Sequence, residues 1–302
     1  MTENRRAEIK IRGFTCGLLV FAVFFSGIND RKQGFREGFL RQSEGRKMKL
    51  GAYQFPVSGD IEKNIEKIKA ATVRAASEGV RLLVLPECAV TGYPPRDIPS
   101  SAEVDFAPLE AAHRELQELS DKHDINLIVG TMTREKKGIH NTALILRPGL
   151  PPLAYHKRAL WGWDRDNFIP GDETGVVDFG GVRIGVRICF EVRFPEYFRE
   201  LYRQHTDLNV ILFYDMVDGD GTSRYDLLRG HIRTRAVENV CYTLSVNTAC
   251  PGQSAPTMLA GRSGGVLAEA EREREALLTF DFAPGPLDFG ELGRKEYSDE
   301  LC

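Results

Sequence analysis

Val182-Arg-Ile-Gly-Val-Arg-Ile-Cys189-Phe-Glu-Val-Arg-Phe-Pro195-Glu decides the reading of this 302-residue chain. Val182, Ile184, Val186 and Ile188 alternate with Arg183, Gly185 and Arg187, the period of two that a β-strand imposes on its side chains. Pro195 suits the first turn of a helix, where a backbone N–H is not needed, and that helix is expected to run to about Gln204. Strand, tight turn and helix place Cys189 on an elbow at the downstream end of a strand. In α/β sheets that end opens on the crevice where ligands bind. A nucleophile on such an elbow is exposed, with backbone N–H groups near enough to receive an oxyanion.

Strand and helix signals alternate on either side of the elbow. Upstream, Leu50 to Phe55 reads as a strand. Asp60 caps a helix with Ile61, Ile65, Ile68, Ala71 and Ala75 on one face and Gly79 at its end. Leu82 to Leu85 is continuously apolar, as in a strand covered on both sides. A helix over about Pro108 to His123 and strands at Ile125–Gly130, Thr142–Leu146 and Leu153–His156 follow. Downstream come a strand at Leu208–Phe213, a helix at Ser223–Asn239 and a strand at Cys241–Val246. Gly265–Ala268 and Leu277–Phe282 are expected to close the domain as an antiparallel pair. The result is one α/β domain over residues 48–282 with a loose tail at 283–302.

Composition narrows the function. Forty Lys and Arg against 43 Asp and Glu leave a net charge of −3, which excludes a broadly cationic protein that coats nucleic acid. Hydrophobic residues at 42% supply a substantial core, so disorder over most of the length is not expected. Six cysteines show no C-x-x-C pair and no zinc spacing, and read as reduced thiols of a cytoplasmic protein. Residues 1–47 do not match the rest. Basic residues precede a short apolar run, Phe14 to Phe25, too short to span a bilayer comfortably and poor as a signal cleavage region. An over-extended translation start at Met48, a weak membrane or targeting segment and a structured extension all stay open.

Glu87, Lys157 and Cys189 each follow a strand. A base to take the thiol proton, a cation to stabilise charge and a thiol to attack form a reactive set. Spacing alone leaves bland readings open: a small buried cysteine, a surface carboxylate and a solvated loop lysine. The surrounding segments carry more. Leu-Pro-Glu-Cys-Ala-Val-Thr-Gly-Tyr around Glu87, Tyr-His-Lys-Arg around Lys157 and Arg-Ile-Cys-Phe-Glu-Val-Arg-Phe-Pro-Glu around Cys189 resemble the three signature segments of the nitrilase superfamily, the carbon–nitrogen hydrolases, in the family's order. Asn141-Thr-Ala-Leu-Ile-Leu, Phe168-Ile-Pro-Gly and Arg235-Ala-Val-Glu-Asn also match.

The resemblance implies a four-layer α-β-β-α sandwich, usually paired into a homodimer or larger assembly, acting on a small-molecule amide. It implies Cys189 as nucleophile, Glu87 as general base, and Lys157 with the backbone N–H of Phe190 as oxyanion donors. Many family members carry a second glutamate four residues before the Phe of Phe-x-Pro-Gly. Here that position is Asp164, one methylene shorter, and either a second active-site carboxylate or a plain loop aspartate. Glu191 is expected to hold the elbow. Arg193 is a candidate for a substrate carboxylate, and Tyr93, Trp161 and Trp163 for the pocket mouth; packing is the alternative for each. Gly92-Tyr-Pro-Pro-Arg-Asp resembles the glutaminase domain of glutamine-dependent NAD synthetases and suggests a small amide.

The thiol of Cys189 is expected below its free value of about 8.5, through Lys157 and the helix at Pro195, with Glu87 opposing. No metal or organic cofactor is implied. Counting from Asp218, the twelfth position of a calcium loop is Arg229 rather than Glu. Arg229, His231, Arg233 and Arg235 read as a solvated or inter-subunit helix face, with no nucleic-acid partner and no membrane partner expected. The expected chemistry is cleavage of a carboxamide to acid and ammonia. N-carbamoyl amino acid hydrolysis, nitrile hydrolysis and a low-activity binding or assembly subunit stay open.

Overall fold

Two six-stranded sheets carry the chain. The computed structural model describes residues 47–302, and the readings of the N-terminal segment lie outside the described residues. The elements are β1 (Met48–Gln54), α1 (Ile61–Ser77), β2 (Leu82–Val84), α2 (Phe106–His123), β3 (Asn126–Glu135), β4 (Gly138–Arg147) and β5 (Leu150–His156). Then follow α3 (Trp163–Asn167), β6 (Val176–Phe179), β7 (Val182–Ile188), α4 (Pro195–Arg203), β8 (Leu208–Leu212) and α5 (Thr222–Glu238). β9 (Tyr242–Val246), β10 (Met258–Ala260), β11 (Val266–Glu269), β12 (Ala276–Phe282) and α6 (Phe289–Leu301) complete the order.

One sheet runs β12-β1-β2-β3-β4-β5 and the other β11-β10-β9-β8-β7-β6. Each has three parallel strands, β1-β2-β3 and β7-β8-β9, flanked by antiparallel ones. Leu50, Leu82, Val84 and Ile128 of the first sheet share one apolar core with Ile184, Val186, Val210 and Leu244 of the second. The first sheet's outer face packs under α1 and α2 through Ile68, Leu83, Leu109 and Leu127. The second packs under α4 and α5 through Phe198, Leu201, Ile211 and Ile232. That is the four-layer α-β-β-α sandwich, in which every central strand is covered on both faces. Among the described residues, no helix is long and apolar enough to cross a membrane.

The structure corrects two details and adds a third. β11 and β12 do not pair: β11 lies antiparallel to β10, and β12 antiparallel to β1 in the opposite sheet. The buried amides of Gln54 and Gln253 explain the divergence. Gln54 Nε2 donates to the carbonyls of Glu271 and Arg274, and Gln253 Oε1 accepts the N–H of Glu273, which peels the connection away from a hairpin. The tail is not loose, because Asp288 and Glu291 form a capping box that starts α6. Arg187, on the polar side of the β7 alternation, carries its charge inside the protein. It is fully buried, and its guanidinium donates to the carbonyls of Thr174 and Tyr197 and meets Glu200.

Candidate active site

β2 in the first sheet and the parallel neighbours β7 and β8 in the second each end in a downstream residue that bears on the site. Glu87 follows β2, Cys189 follows β7, and Tyr214 and Asp215 follow β8. A backbone hydrogen bond crosses between the sheets here, from Glu87 N–H to Phe213 O at 3.2 Å. Gly130 on β3 permits the approach. A Cβ there would lie 2.0 Å from Pro86 O and 2.5 Å from the Glu87 Cα, so only glycine lets the Pro86–Glu87 backbone lie against the strand.

The buried carboxylate of Glu87 is fully satisfied. Its Oε1 accepts from Lys157 Nζ and Asn141 Nδ2, both at 2.7 Å, and its Oε2 accepts the N–H of Tyr214 at 2.8 Å. Lys157, 1% exposed, also meets Asp164 Oδ2 at 2.8 Å. Asp164 in turn accepts from the Tyr93 hydroxyl at 2.8 Å, and Tyr93 stacks on Tyr214 with ring centroids 5.1 Å apart. One ammonium thus bridges two buried carboxylates. Asp164 sits in the first turn of α3, held toward Lys157 rather than free in a loop.

Cys189 opens a 3₁₀ helix, Cys189–Arg193, with φ of +46°. A side-chain-bearing residue seldom adopts that left-handed backbone, and strained elbows of this kind collect at functional sites. Glu191 holds the turn. Its buried carboxylate accepts from the Ile188 N–H at 2.7 Å and from both the Tyr155 hydroxyl and the Arg158 N–H at 2.8 Å. The first N–H groups of such a turn, Phe190's among them, have no acceptor within it.

Cys189, Phe190, Lys157 and Asp164 line one cavity of about 170 Å³, with Tyr93, Trp161 and Trp163 also on its wall. Arg193 is not among the lining residues. At about three residues per turn the fourth residue past Cys189 lies roughly 120° around from it, and Arg193 sits near enough to His231 on α5 to act on its charge. The cavity instead presents Arg96, Tyr214, Asp215, Met216 and Arg224. Asp215 takes two hydrogen bonds from Arg224, at 2.7 and 2.6 Å. Applying the strand-end rule to Leu208–Phe213 would have found Tyr214 and Asp215 from sequence. The Arg224 partnership, nine residues on, carries no local signal.

Electrostatics correct the expectation for the thiol. Burial first, then the Glu87 carboxylate, push the Cys189 thiol well above its ordinary value, and Lys157 offsets only part of this. A thiol raised in this way favours its protonated form, so a neighbouring base is needed to make it a thiolate. Burial also raises the Glu87 carboxyl, with Lys157 pulling it down and Asp164 pushing it up. For Lys157, burial favours the neutral amine, but Glu87 and Asp164 together outweigh it and hold the ammonium charged.

A family model described as carbon-nitrogen hydrolase matches residues 49–285. The chain is 28% identical over 238 residues to 2-oxoglutaramate amidase of Bacillus subtilis, covering 75% of this chain and 88% of that protein. An amidase from Nesterenkonia sp. superposes with a TM-score of 0.69 at 25% identity, over 85% of this chain and 97% of its own. A mutant of that amidase, at 26% identity and TM-score 0.70 over 80% of this chain and 92% of its own, carries the acetamide moiety of fluoroacetamide added covalently at its active-site cysteine.

Proposed function

This chain belongs to the carbon–nitrogen hydrolase family, within the nitrilase superfamily, and is an amide-hydrolysing enzyme; on that premise we propose that it hydrolyses short, uncharged carboxamides to acid and ammonia through a thioester on Cys189. The observation that carries the mechanism is Lys157 Nζ, 2.7 Å from Glu87 and 2.8 Å from Asp164, on the wall of the cavity that Cys189 also lines. Sulfur attacks the amide carbon while its proton passes to Glu87. Lys157 and the Phe190 N–H receive the developing oxyanion. Glu87 returns the proton to the departing nitrogen, which leaves as ammonia. It then takes a proton from water as the water oxygen attacks the thioester, and the thiol is restored with release of the acid. Asp164 and Asn141 position the ammonium and the base.

Charge pairing within the cavity supports the substrate class. Lys157 is matched by Glu87 and Asp164, Arg224 by Asp215 and Arg96 by Asp218. Among the described lining residues every cation thus has a carboxylate partner, which lowers the net positive charge available to a substrate carboxylate. A volume of about 170 Å³ is well below the roughly 300 Å³ at which drug-sized ligand sites begin. Of the compounds named for the relatives, 2-oxoglutaramate carries a carboxylate and fluoroacetamide does not. The cavity suits the second kind. Ammonia release is expected to show kcat/KM at least about tenfold higher, or about 1.4 kcal/mol in the barrier, for a three- or four-carbon aliphatic amide than for an amide of equal length ending in carboxylate. A preference for the carboxylate-bearing amide would refute the substrate class while leaving the chemistry in place.

A further inference from the structure

We propose that Glu135, His140 and His156 form a binding site for a divalent transition-metal ion of the zinc type, on the side of β3, β4 and β5 away from the reaction. The three residues offer ligand atoms that all lie within 4.8 Å of one another. Strand register brings them together: Thr133 pairs with His140, Glu135 with Gly138 and Thr142 with His156.

The hydrogen bonds fix which ring nitrogens are available. His140 Nδ1 lies 3.0 Å from Ile169 O, and His156 Nδ1 lies 2.7 Å from Glu173 Oε1. A carbonyl and a carboxylate only accept, so both Nδ1 atoms carry the proton and both Nε2 atoms present lone pairs. Anchoring one ring nitrogen to a carboxylate or carbonyl is how metal-binding histidines are oriented. His140 is 5% exposed, and its Nε2 is buried without a hydrogen-bond partner, 3.7 Å from Glu135 Oε2. A lone pair facing a carboxylate is repulsive unless a cation lies between them.

Zinc–nitrogen bonds of about 2.0–2.1 Å place tetrahedral ligands roughly 3.3 Å apart, so ligand atoms that now lie within 4.8 Å of one another draw in on binding. The imidazoles stack with centroids 4.1 Å apart and 24° between planes, so ligation tilts the rings until their in-plane lone pairs meet. His156 Nε2 exchanges a 3.2 Å contact with the Thr133 hydroxyl, which keeps Thr142 as its partner at 2.7 Å. The Glu135 side chain, 57% exposed, gives the ion its way in, and water completes the shell. Two imidazoles and one carboxylate select zinc, nickel or copper over magnesium and calcium. His140 and His156 immediately precede Asn141 and Lys157, so the ion would tie β4 to β5 directly behind the two side-chain donors to Glu87.

The test uses the full chain carrying Cys189→Ala, which removes the active-site thiol as a competing ligand, after treatment with chelator. Titration with zinc, followed by calorimetry and thermal melting, is expected to show one ion per chain and a raised Tm, with magnesium inert. Cobalt is expected to bind with visible bands of nitrogen and oxygen ligation and no thiolate charge-transfer band. Glu135→Gln, at an exposed position that leaves the fold intact, is expected to weaken zinc at least about tenfold, and Glu173→Ala by about 10–100-fold through loss of the ring's anchor. No saturable binding, equal binding of magnesium, or undiminished affinity in both variants would overturn the site.

Discussion

Lys157→Met is expected to lower kcat/KM by at least about 10³-fold and to destabilise the fold by about 3–5 kcal/mol. The loss in rate begins with the oxyanion donor, worth about 10²–10³-fold in comparable sites. It grows because Glu87 and Asp164, both buried, would then face each other without the ammonium between them. One of the two must take a proton, and a protonated Glu87 is no base. The stability cost is that of leaving buried charge uncompensated. Adding Asp164→Asn to Lys157→Met is expected to recover part of the stability in urea melts and none of the activity. A double variant as unstable as the single one would remove the electrostatic explanation.

Glu87→Gln is expected to cost about 10²–10⁴-fold in kcat/KM, the range of general acid–base catalysis, with a smaller loss of stability than Lys157→Met. Glutamine keeps the volume and Lys157 keeps Asp164 as its partner, but the amide nitrogen cannot accept, and the Tyr214 N–H left facing it costs about 1–3 kcal/mol. The pH profile separates a base from a structural carboxylate. Glu87 must be ionised to accept the thiol proton, so native kcat/KM falls as pH drops through its pKa. Burial raises that pKa, and the acid limb should inflect above the ordinary carboxylate value of 4.5. In the glutamine variant the limb should vanish, and the residual rate should be flat across that range. An unchanged acid limb would assign the ionisation to another group.

The elbow was legible because Val182–Ile188 alternates over a full strand and Pro195 marks the helix start, two signals of different physical origin that agree. Asp164 was legible only through its spacing from Phe168, and its buried contacts with Lys157 and Tyr93 follow from α3. Arg193 was singled out by family resemblance alone; the structure sets it in a 3₁₀ turn and not among the residues that line the cavity. The pairing of β11 with β10 and of β12 with β1 was hidden because sequence neighbours suggest a hairpin. The deciding groups, Gln54 and Gln253, are about 200 residues apart in the chain. The helix α6 was readable, since Asp288 and Glu291 stand at capping-box spacing. The rise in the thiol pKa came from burial, which no local sequence pattern reports.

Intact-mass spectrometry of the protein mixed with a short aliphatic amide and quenched during turnover tests the central claim most directly. The account predicts a mass increase equal to the acyl group, mapped by peptide analysis to Cys189, together with ammonia release, and neither adduct nor release from Cys189→Ala. Ammonia release by Cys189→Ala at the native rate, or an acyl adduct on another side chain of the native protein, would contradict it.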